Sequence, residues 1–424
     1  MSEMLGKDKK YVWHPFTQMQ TADDPLEIIR AEKTTLYTAD GNSYLDCNSS
    51  WWVNVHGHCH PHIGKAISEQ FSRIDHVIFA GATHPKAVEL AERIINILPK
   101  NKFHKVFFSD NGSTSVEVAL KMVFQYWHNQ NQPKKRILAL DGAYHGDTFG
   151  AMAVGQRGYF NEPFEHFFFQ VDQLDFPIKT KEEQLLNEAE QLFKTNEFAA
   201  IIVEPLIQGS SGMKTYSKKW LDQLISLAKK YNVLVIFDEV MTAWGRTGKL
   251  FAMNHCTETP DIVCLSKGLT GGVIPLGLTV TTDKIYKAFL SEEKTKALLH
   301  GHSYTGNPLA CAAACASLDI FENQETWDSI DLICKLNLEF SMRLKDSIKI
   351  QEIRQCGTIL AIELNSKEGN NYFSNLRDIA YRYFLENNLL IRPLGNVIFI
   401  NPPYSITEIE LKKTYKIIEN FINR

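Results

Sequence analysis

The sequence predicts an α/β protein with a large domain built on a mostly parallel, doubly wound sheet and a smaller α+β domain. Strands covered on both faces are almost continuously apolar, and short runs of this kind recur at 106–108, 137–140, 199–203, 233–237 and 261–265. Amphipathic helical stretches separate these runs. A repeated strand–helix–strand order indicates parallel strands, with a functional site at their carboxyl ends.

The helical stretches are recognised by the spacing of their apolar residues. One face repeats at i, i+3, i+4, i+7, i+8 and i+11 and is formed by Val116, Ala119, Leu120, Val123, Phe124 and Trp127. Residues 217–231 have the same character. We therefore expect an amphipathic helix in each of these two segments.

Both ends of the chain have a different pattern. Residues 35–46 form two alternating runs about Asp40 and Gly41, which predicts a hairpin. After residue 311 come helical stretches, then short strands at 358–364, 389–392 and 397–401, and a final helix. We expect a large domain at 56–319 and a small domain at 320–424, with residues 1–55 packing against the small domain.

Composition and charge narrow the classes of function. Of 424 residues, 44% are hydrophobic, and 45 Lys+Arg stand against 49 Asp+Glu, for a net charge of −4. This near-neutral balance gives no electrostatic reason to expect nucleic acid or a membrane as partner. The longest near-apolar run, 309–318, is shorter than a membrane span. Eight cysteines without paired spacing predict reduced thiols in the cytoplasm, and small-molecule chemistry is the expected activity.

Asp238 and Lys267 form the first candidate site. Each follows an apolar run, and their separation of 267 − 238 = 29 residues suits one crossover between neighbouring parallel strands. A carboxylate and an amine at one sheet edge fit a pyridine aldehyde cofactor, because the lysine forms a Schiff base and the carboxylate keeps the ring nitrogen protonated. The alternative is a surface lysine and a strand-end aspartate without a shared role.

A small polar turn at 109–115 follows the first apolar run and precedes the first helix. Backbone N–H groups at such a helix N-terminus favour a phosphate, which would lie on Gly112 and Ser113. The alternative is helix capping alone, since Thr114 and Glu117 match the S/T-x-x-E capping box. Spacing alone leaves both interpretations open.

Aromatic side chains supply two further candidates. Tyr144 follows the second apolar run at the same sheet edge and is placed to stack on a planar ring, with a rim position as the alternative. Trp51 and Trp52 follow the hairpin and predict an aromatic wall for a substrate, with core packing as the alternative.

Metal and nucleotide motifs are incomplete. Four histidines alternate about Cys59, namely His56, His58, His60 and His62. No Cys-x-x-Cys pair completes a zinc site there and Pro61 interrupts the strand, so we expect no metal. The stretch 245–249 lacks the four-residue spacer of a P-loop, which excludes that motif. The absence of G-x-G-x-x-G after any strand disfavours a nicotinamide dehydrogenase.

Taken together, these motifs resemble the class III, fold-type I aminotransferases, which depend on pyridoxal 5′-phosphate, and the resemblance covers essentially the whole chain. The matching stretches are 110–117, 143–147, 203–205, 237–240, 245–248, 266–268 and 301–308. The resemblance implies the two-domain fold expected above, a transamination activity, and a homodimer with shared active sites.

The resemblance also implies roles for individual residues. Lys267 would hold the cofactor as a Schiff base and move the proton of the reacting carbon, while Asp238 would pair with the ring nitrogen. The other implied positions are Gly112, Ser113 and Glu204 at the cofactor, His302 and Ser303 at the phosphate in the neighbouring subunit, Tyr144 beside cofactor and substrate, Trp51 and Trp52 along an alkyl chain, Gly301 near the substrate, and Arg392 at its carboxylate. Arg246 also matches a family position. For Glu204 and Arg246, holding the loops is the alternative role.

Within this class, residues 13–18, 50–52, 392–395 and 402–404 resemble enzymes of the biotin pathway. That branch implies amino transfer to 8-amino-7-oxononanoate, giving 7,8-diaminononanoate, with S-adenosylmethionine as the donor. Phe16 is a predicted substrate contact. Members that use S-adenosylmethionine have tyrosine at this position. A phenylalanine here resembles the branch that takes lysine as the amino donor. Lysine is therefore the alternative donor, and an ω-amino acid or diamine aminotransferase is the alternative activity.

Overall fold

The structure is a computed structural model that describes residues 2–366 and 374–424. Its strands, in chain order, are β1 (Ile28–Glu32), β2 (Thr35–Thr38), β3 (Ser43–Asp46), β4 (Phe103–Ser109), β5 (Arg136–Leu140), β6 (Val171–Leu174), β7 (Phe198–Val203), β8 (Ile207–Gln208), β9 (Lys214–Thr215), β10 (Leu234–Asp238), β11 (Ile262–Leu265), β12 (Gly277–Thr282), β13 (Ile350–Cys356), β14 (Ile359–Leu364), β15 (Leu389–Leu390) and β16 (Val397–Ile400). Its α-helices are α1 (Glu3–Tyr11), α2 (Ser49–Trp52), α3 (Pro61–Phe71), α4 (Pro85–Ile97), α5 (Gly112–Asn129), α6 (Phe149–Ala153), α7 (Glu182–Lys194), α8 (Lys218–Lys230), α9 (Asp283–Lys287), α10 (Pro308–Phe321), α11 (Gln324–Leu344), α12 (Asn375–Glu386) and α13 (Glu408–Asn423). Short 3₁₀ turns cover Glu162–Phe167, Ala252–His255, Lys267–Thr270 and Lys294–Lys296.

The central sheet positions the candidate site. Within the described residues it has seven strands, in the order β4-β12-β11-β10-β7-β5-β6. The neighbours from β11 to β6 pair in parallel, whereas β12 runs antiparallel to both β11 and β4. Every residue of β7, β10 and β11 is buried. The mostly parallel sheet predicted from continuous apolar runs is therefore confirmed.

Helices cover this sheet on both faces. Along β5, Leu138 and Leu140 pack into one core cluster, while Ile137 and Ala139 pack into another. Because successive strand residues point to opposite faces, the two clusters lie on opposite sides of the sheet. The apolar face of α8 belongs to the first cluster and that of α5 to the second. The sheet is doubly wound, as predicted.

The ends of the chain form smaller sheets. The predicted hairpin is present as β2 and β3, with Leu36 opposite Tyr44. Its sheet has the order β1-β2-β3-β15, and the parallel pairing of Leu45 with Leu389 joins segments from both ends of the chain. The strands predicted at 358–364 and 397–401 are β14 and β16, and β13 completes the order β13-β14-β16. We did not predict β6 or β13, since polar side chains interrupt both.

The near-apolar run at 309–318 lies in α10, which packs against α3 and α4. Its alanine and cysteine side chains are buried around the whole helix. A helix that is apolar all round belongs to a protein core or to a membrane span. In the part of the chain that the structure describes, none of the helices is long and apolar enough to cross a bilayer.

Candidate active site

Asp238 and Lys267 lie at the same edge of the central sheet. Asp238 is the last residue of β10, and its Cα pairs with that of Cys264 in the parallel neighbour β11. Lys267 comes three residues later, where it begins a 3₁₀ turn with a φ of +50°. Because both strands point the same way, their carboxyl ends meet, and the structure brings these two side chains to one place.

The Asp238 carboxylate is 4% exposed and has two hydrogen-bond donors. His145 donates through Nδ1 to Oδ2 at 2.7 Å, and the backbone N–H of Val240 donates to Oδ1 at 3.0 Å. A carboxylate only accepts, so the proton of His145 is on Nδ1. His145 follows β5, which is parallel to β7 and lies on the side of β7 away from β10. The carboxyl end of β5 is therefore at the same edge of the sheet as Asp238. This contact was not predicted from the sequence, although its signal is the Tyr144–His145 pair that follows β5.

The Lys267 amine is in a mixed electrostatic environment. Burial, followed by the nearby Arg246 guanidinium, lowers the pKa of Lys267, while the carboxylates of Asp238 and Glu204 act in the opposite direction. Its Nζ lies 4.9 Å from the centroid of the Trp52 ring. A lysine with a lowered pKa is neutral more often and therefore a better nucleophile towards an aldehyde.

Glu204 is a buried carboxyl group that joins two loops. Its Oε1 accepts a hydrogen bond from the backbone N–H of Tyr144, and its Oε2 accepts one from that of Gly209, both at 3.0 Å. Burial raises the pKa of Glu204 to about 7. The Tyr144 hydroxyl donates to Asp147 Oδ2 at 2.8 Å, and burial together with that carboxylate raises the pKa of Tyr144. These contacts fix Tyr144 at both its backbone and its ring.

Gly112 and Ser113 are the first two residues of α5, an 18-residue helix. The first backbone N–H groups of a helix have no acceptor within the helix and point outward from its N-terminus. A Cβ at Gly112 would lie 2.7 Å from Val240 Cγ1, so only glycine fits between the turn and the end of β10. These N–H groups and the helix dipole are suited to hold an anion near the end of β10.

The capping box proposed for Thr114 and Glu117 is wrong. Thr114 instead pairs with Asn111, whose side-chain oxygen accepts from the Thr114 N–H at 2.9 Å while the Thr114 hydroxyl accepts from the Asn111 N–H. Glu117 accepts from the backbone N–H groups of Gly150 and Ala151 at the start of α6. The N-cap is therefore Asn111, three residues or nearly one turn earlier than Thr114, because asparagine is also a strong capping residue.

Trp51 and Trp52 lie in a strained turn. Ser50 and Trp52 have positive φ values of 59° and 66°. Buried Asp46 holds the turn, since its Oδ2 accepts from the Ser50 N–H at 2.6 Å and from His58 Nε2 at 2.8 Å. As a result Trp52 is buried beside Lys267, whereas the Trp51 side chain is 45% exposed. The two tryptophans therefore face different surroundings.

Arg392 and Phe16 complete the exposed side of this group. The guanidinium carbon of Arg392 lies 5.5 Å from the Trp51 ring centroid, and Phe16 packs edge-on against Trp51 at 5.4 Å. Phe160 contacts the other side of Phe16 at 6.0 Å. Among the described residues, Arg392 forms no ion pair with a carboxylate. A guanidinium beside an aromatic wall is well shaped to bind a substrate carboxylate.

Gly301, His302 and Ser303 lie in the turn before α10. The His302 N–H donates to Thr305 Oγ1 at 3.0 Å, and His302 Nδ1 accepts from the Tyr304 N–H at 3.2 Å. These hydrogen bonds are local to the turn. Among the described residues, no hydrogen bond joins this turn to Asp238 or Lys267.

Arg246 is a buried support for several loops. Its Nη1 donates to the carbonyl of Pro402 at 2.8 Å, and its Nη2 donates to that of Trp52 at 3.4 Å. Its own carbonyl accepts from the Thr358 N–H at 3.0 Å. Burial lowers the pKa of Arg246. These contacts favour the loop-holding alternative for this residue.

Three of the four alternating histidines form hydrogen bonds within the fold, and the buried Nδ1 of His60 has no partner among the described residues. Their partners are Ser317 for His56 at 2.9 Å, Asn54 and Asp46 for His58 at 2.7 and 2.8 Å, and Asp319 for His62 at 2.7 Å. Within residues 2–366 and 374–424, no group of three or more His, Cys, Asp or Glu side chains is arranged to hold a metal ion.

Comparison with known proteins decides the family. The family model described as "Aminotransferase class-III" matches residues 18–422, which is nearly the whole chain. This chain belongs to the class III aminotransferases. They are enzymes that transfer amino groups and depend on pyridoxal 5′-phosphate.

Named relatives agree with this membership. The class III aminotransferase described here is 44% identical to an adenosylmethionine-8-amino-7-oxononanoate aminotransferase of Synechococcus elongatus, over 97% of this chain and 98% of that protein. A Staphylococcus aureus protein of the same name is 37% identical, over 99% and 97% of the two chains.

Solved structures share the fold. A Methanocaldococcus jannaschii enzyme with that name is 37% identical and has a TM-score of 0.92, covering 98% of both chains. An (S)-enantioselective omega-transaminase of Thermomicrobium roseum is 28% identical with a TM-score of 0.93, covering 99% of this chain and 98% of that one. The predicted α/β fold is thereby confirmed, and the family resemblance is correct.

The site of this class III aminotransferase fits its cofactor. Gly112 and Ser113 offer backbone N–H donors for a phosphate at a helix N-terminus. Asp238 offers a buried carboxylate for a protonated ring nitrogen, and Lys267 offers an amine of lowered pKa for an aldehyde.

Proposed function

We propose that this class III aminotransferase transfers an amino group to 8-amino-7-oxononanoate, giving 7,8-diaminononanoate in biotin biosynthesis. The support from the comparisons is the name of the relatives, which match at 36–44% identity over nearly the full chain. Solved omega-transaminases share the fold at 24–28% identity, so the fold alone does not distinguish the acceptor.

The observation that carries the proposal is the line of side chains from Lys267 to Arg392. Trp52 lies beside the lysine amine at 4.9 Å, and Trp51 lies beside the Arg392 guanidinium at 5.5 Å. A substrate with an alkyl chain between its reacting carbon and its carboxylate matches this arrangement. The indole rings contact the chain, and the guanidinium binds the carboxylate through two parallel hydrogen bonds.

The chemistry requires an electron sink and a base. Pyridoxal 5′-phosphate supplies the sink when it is bound, because its protonated ring accepts the electrons of the reacting carbon. Asp238, which accepts a hydrogen bond from His145, would keep the ring nitrogen protonated. Lys267 would hold the aldehyde and, once freed by the substrate amine, would move the proton at the reacting carbon. Tyr144 would cover the ring, and Glu204 keeps Tyr144 in place by accepting from its backbone N–H.

The proposed amino donor is S-adenosylmethionine, with lysine as the alternative. Phe16 contacts Trp51 beside Arg392, so its ring is placed to meet the donor as well as the acceptor. Phenylalanine has no hydroxyl to hydrogen-bond a polar group there. The donor therefore depends on contacts other than a hydroxyl at this position.

Several features of the assembly belong to the proposal. The turn containing Gly301, His302 and Ser303 would complete the site of a second copy, as the family resemblance implies, and the hydrogen bonds of His302 within its own chain are local to this turn. The active unit would then be a homodimer.

All eight cysteines are free, which supports a reducing, cytoplasmic location. We also propose the domain division at 1–55, 56–319 and 320–424.

A half-reaction titration tests this function. The holoenzyme is mixed with S-adenosylmethionine or lysine separately, and the absorbance of the bound cofactor is followed. We expect one donor to bleach the band and 8-amino-7-oxononanoate to restore it. If neither donor bleaches the band, the biotin-pathway assignment fails. If a diamine or ω-amino acid bleaches it and the keto acid does not restore it, the alternative activity is correct.

A further inference from the structure

Arg354 is a buried guanidinium far along the chain from the residues assigned above. It lies in β13 and is 5% exposed. Its Nη1 pairs with Glu363 of β14 at 2.6 Å and with Glu352, and its Nη2 donates to the carbonyl of Gly212 at 2.8 Å. The first two contacts lie within one sheet. The third leaves that sheet and reaches the turn between β8 and β9.

That turn has an unusual backbone. Gly212 and Met213 have φ values of +86° and +56°, and the Met213 N–H donates to the Gly209 carbonyl at 3.2 Å. Positive φ is costly for a methionine, so contacts around the turn must hold it. Met213 is fully buried, and Arg354 binds the carbonyl between the two residues.

The same turn meets the active site at two points. The Gly209 N–H donates to Glu204 Oε2 at 3.0 Å, and Glu204 in turn accepts from Tyr144. A Cβ at Gly209 would lie 3.0 Å from Trp52 Cζ3, so the backbone of the turn is in contact with the indole that faces Lys267. Any shift of the turn would therefore move both Glu204 and Trp52.

We infer that Arg354 is a positioning residue for acceptor binding, which holds the turn at 209–213 against Trp52 and Glu204. The hydrogen bond from Arg354 to Gly212 has a different role from the Arg354–Glu363 ion pair. The ion pair joins β13 to β14, whereas the bond to Gly212 fixes the wall of the site. The inference rests on the proposed function only for the identity of the acceptor.

Two variants separate these roles. Glu363→Gln removes the ion pair but leaves Arg354, with Glu352 still beside it, bonded to Gly212. The double variant Arg354→Met with Glu363→Gln removes the bond to the turn without leaving an unpaired buried charge, which keeps the fold stable enough to measure. Both variants lack the Arg354–Glu363 ion pair, and they differ in the contact with Gly212 and in the pair with Glu352. Because the Glu352 side chain is exposed and such pairs contribute little, a difference between the variants chiefly reports the contact with Gly212.

Hydrogen exchange of the holoenzyme gives a readout independent of turnover. We expect the amides of 207–215 to exchange faster in the double variant and to remain protected in Glu363→Gln. We also expect the KM for 8-amino-7-oxononanoate to rise about tenfold in the double variant, with kcat little changed, since one hydrogen bond to a charged group is lost. Glu363→Gln should leave KM unchanged.

Equal effects in both variants, or unchanged exchange at 207–215 in the double variant, would overturn the inference. If the wild-type enzyme does not use this keto acid, the proposed function fails by itself. The exchange experiment still decides the role of Arg354 in that case, because it requires no acceptor.

Discussion

The two sides of the active site are built in different ways. The side formed by Asp238, His145, Glu204 and Lys267, here called the cofactor side, lies at the ends of central strands. Asp238 and His145 are buried and bonded to each other, buried Glu204 accepts from two backbone N–H groups, and Lys267 is half-buried. The side formed by Phe16, Trp51 and Arg392, here called the substrate side, has two exposed aromatic rings from the N-terminal part of the chain and a guanidinium from its C-terminal part.

This difference separates chemistry from selectivity. The cofactor side has little freedom, because each buried polar group needs a partner, and any class III aminotransferase can use it for the same cofactor chemistry. The substrate side is open, and its side chains can change without disturbing the sheet. We therefore expect variants on the cofactor side to abolish the reaction and variants on the substrate side to change which molecules react.

The largest effect is expected for Lys267→Ala. Without the amine there is no base for the proton at the reacting carbon, so turnover should fall by at least about 10³-fold while the cofactor still binds. Steady-state rates and the cofactor content of the purified protein measure the two effects. Lys219→Ala, at an exposed position in α8, is the control and should be fully active. Unchanged turnover in Lys267→Ala would refute the assignment of the base.

Arg392→Ala should raise the KM for the keto acid by about 10- to 100-fold, because a two-pronged bond to a carboxylate is lost. Arg392→Lys should restore only part of the affinity, since lysine lacks the planar fork. The methyl ester of the acceptor is the matched test, and wild type and Arg392→Ala should bind it equally. If Arg392→Ala still binds the acid more tightly than the methyl ester, a residue other than Arg392 binds the substrate carboxylate.

Phe16→Tyr should change the choice of donor by about tenfold towards S-adenosylmethionine, the size expected for one new hydrogen bond. The measurement is the ratio of kcat/KM for S-adenosylmethionine and lysine. Phe71→Tyr adds a hydroxyl at an exposed phenylalanine at the end of α3 and should leave the ratio unchanged. An unchanged ratio in Phe16→Tyr would show that this position does not select the donor.

A smaller effect should appear in the pH dependence of stability. Burial raises the pKa of Glu204 to about 7, from an ordinary value of 4.5. Between these values the folded chain holds a proton that the unfolded chain has lost, so stability falls as pH rises through this window. Relative to Glu204→Gln, the wild type should lose up to about 1.4 kcal/mol per pH unit there.

Thermal unfolding midpoints of wild type and Glu204→Gln at pH 5 and pH 7 check this prediction. The difference between the two proteins should change with pH and level off above about pH 7. A difference that stays constant from pH 5 to 7 would mean that Glu204 is ionised across the whole range.

The sequence was most informative where function depends on strand ends. Asp238 and Lys267 each follow an apolar run, and parallel strands place both at one edge, so their meeting followed from periodicity and spacing. The hairpin and the two covering helices were equally predictable, because turn residues and apolar spacing are local signals.

Contacts between distant segments were not predictable. His145 reaches Asp238 across β7, and Arg354 reaches Gly212 from another sheet, and neither pairing leaves a pattern along the chain. The Thr114 and Glu117 capping box was wrong for the same reason, since Glu117 is used by the distant start of α6. Long-range hydrogen bonds of this kind depend on the completed fold.

The most direct test of the account uses an isotopic label. The holoenzyme is incubated with 8-amino-7-oxononanoate and either S-adenosylmethionine or lysine carrying ¹⁵N in the transferable amino group, and the product is analysed by mass spectrometry. The account predicts 7,8-diaminononanoate with one ¹⁵N at C7 from one donor, and no labelled product in Lys267→Ala. Unlabelled keto acid recovered with both donors, under conditions where the enzyme aminates a different ketone, would contradict it.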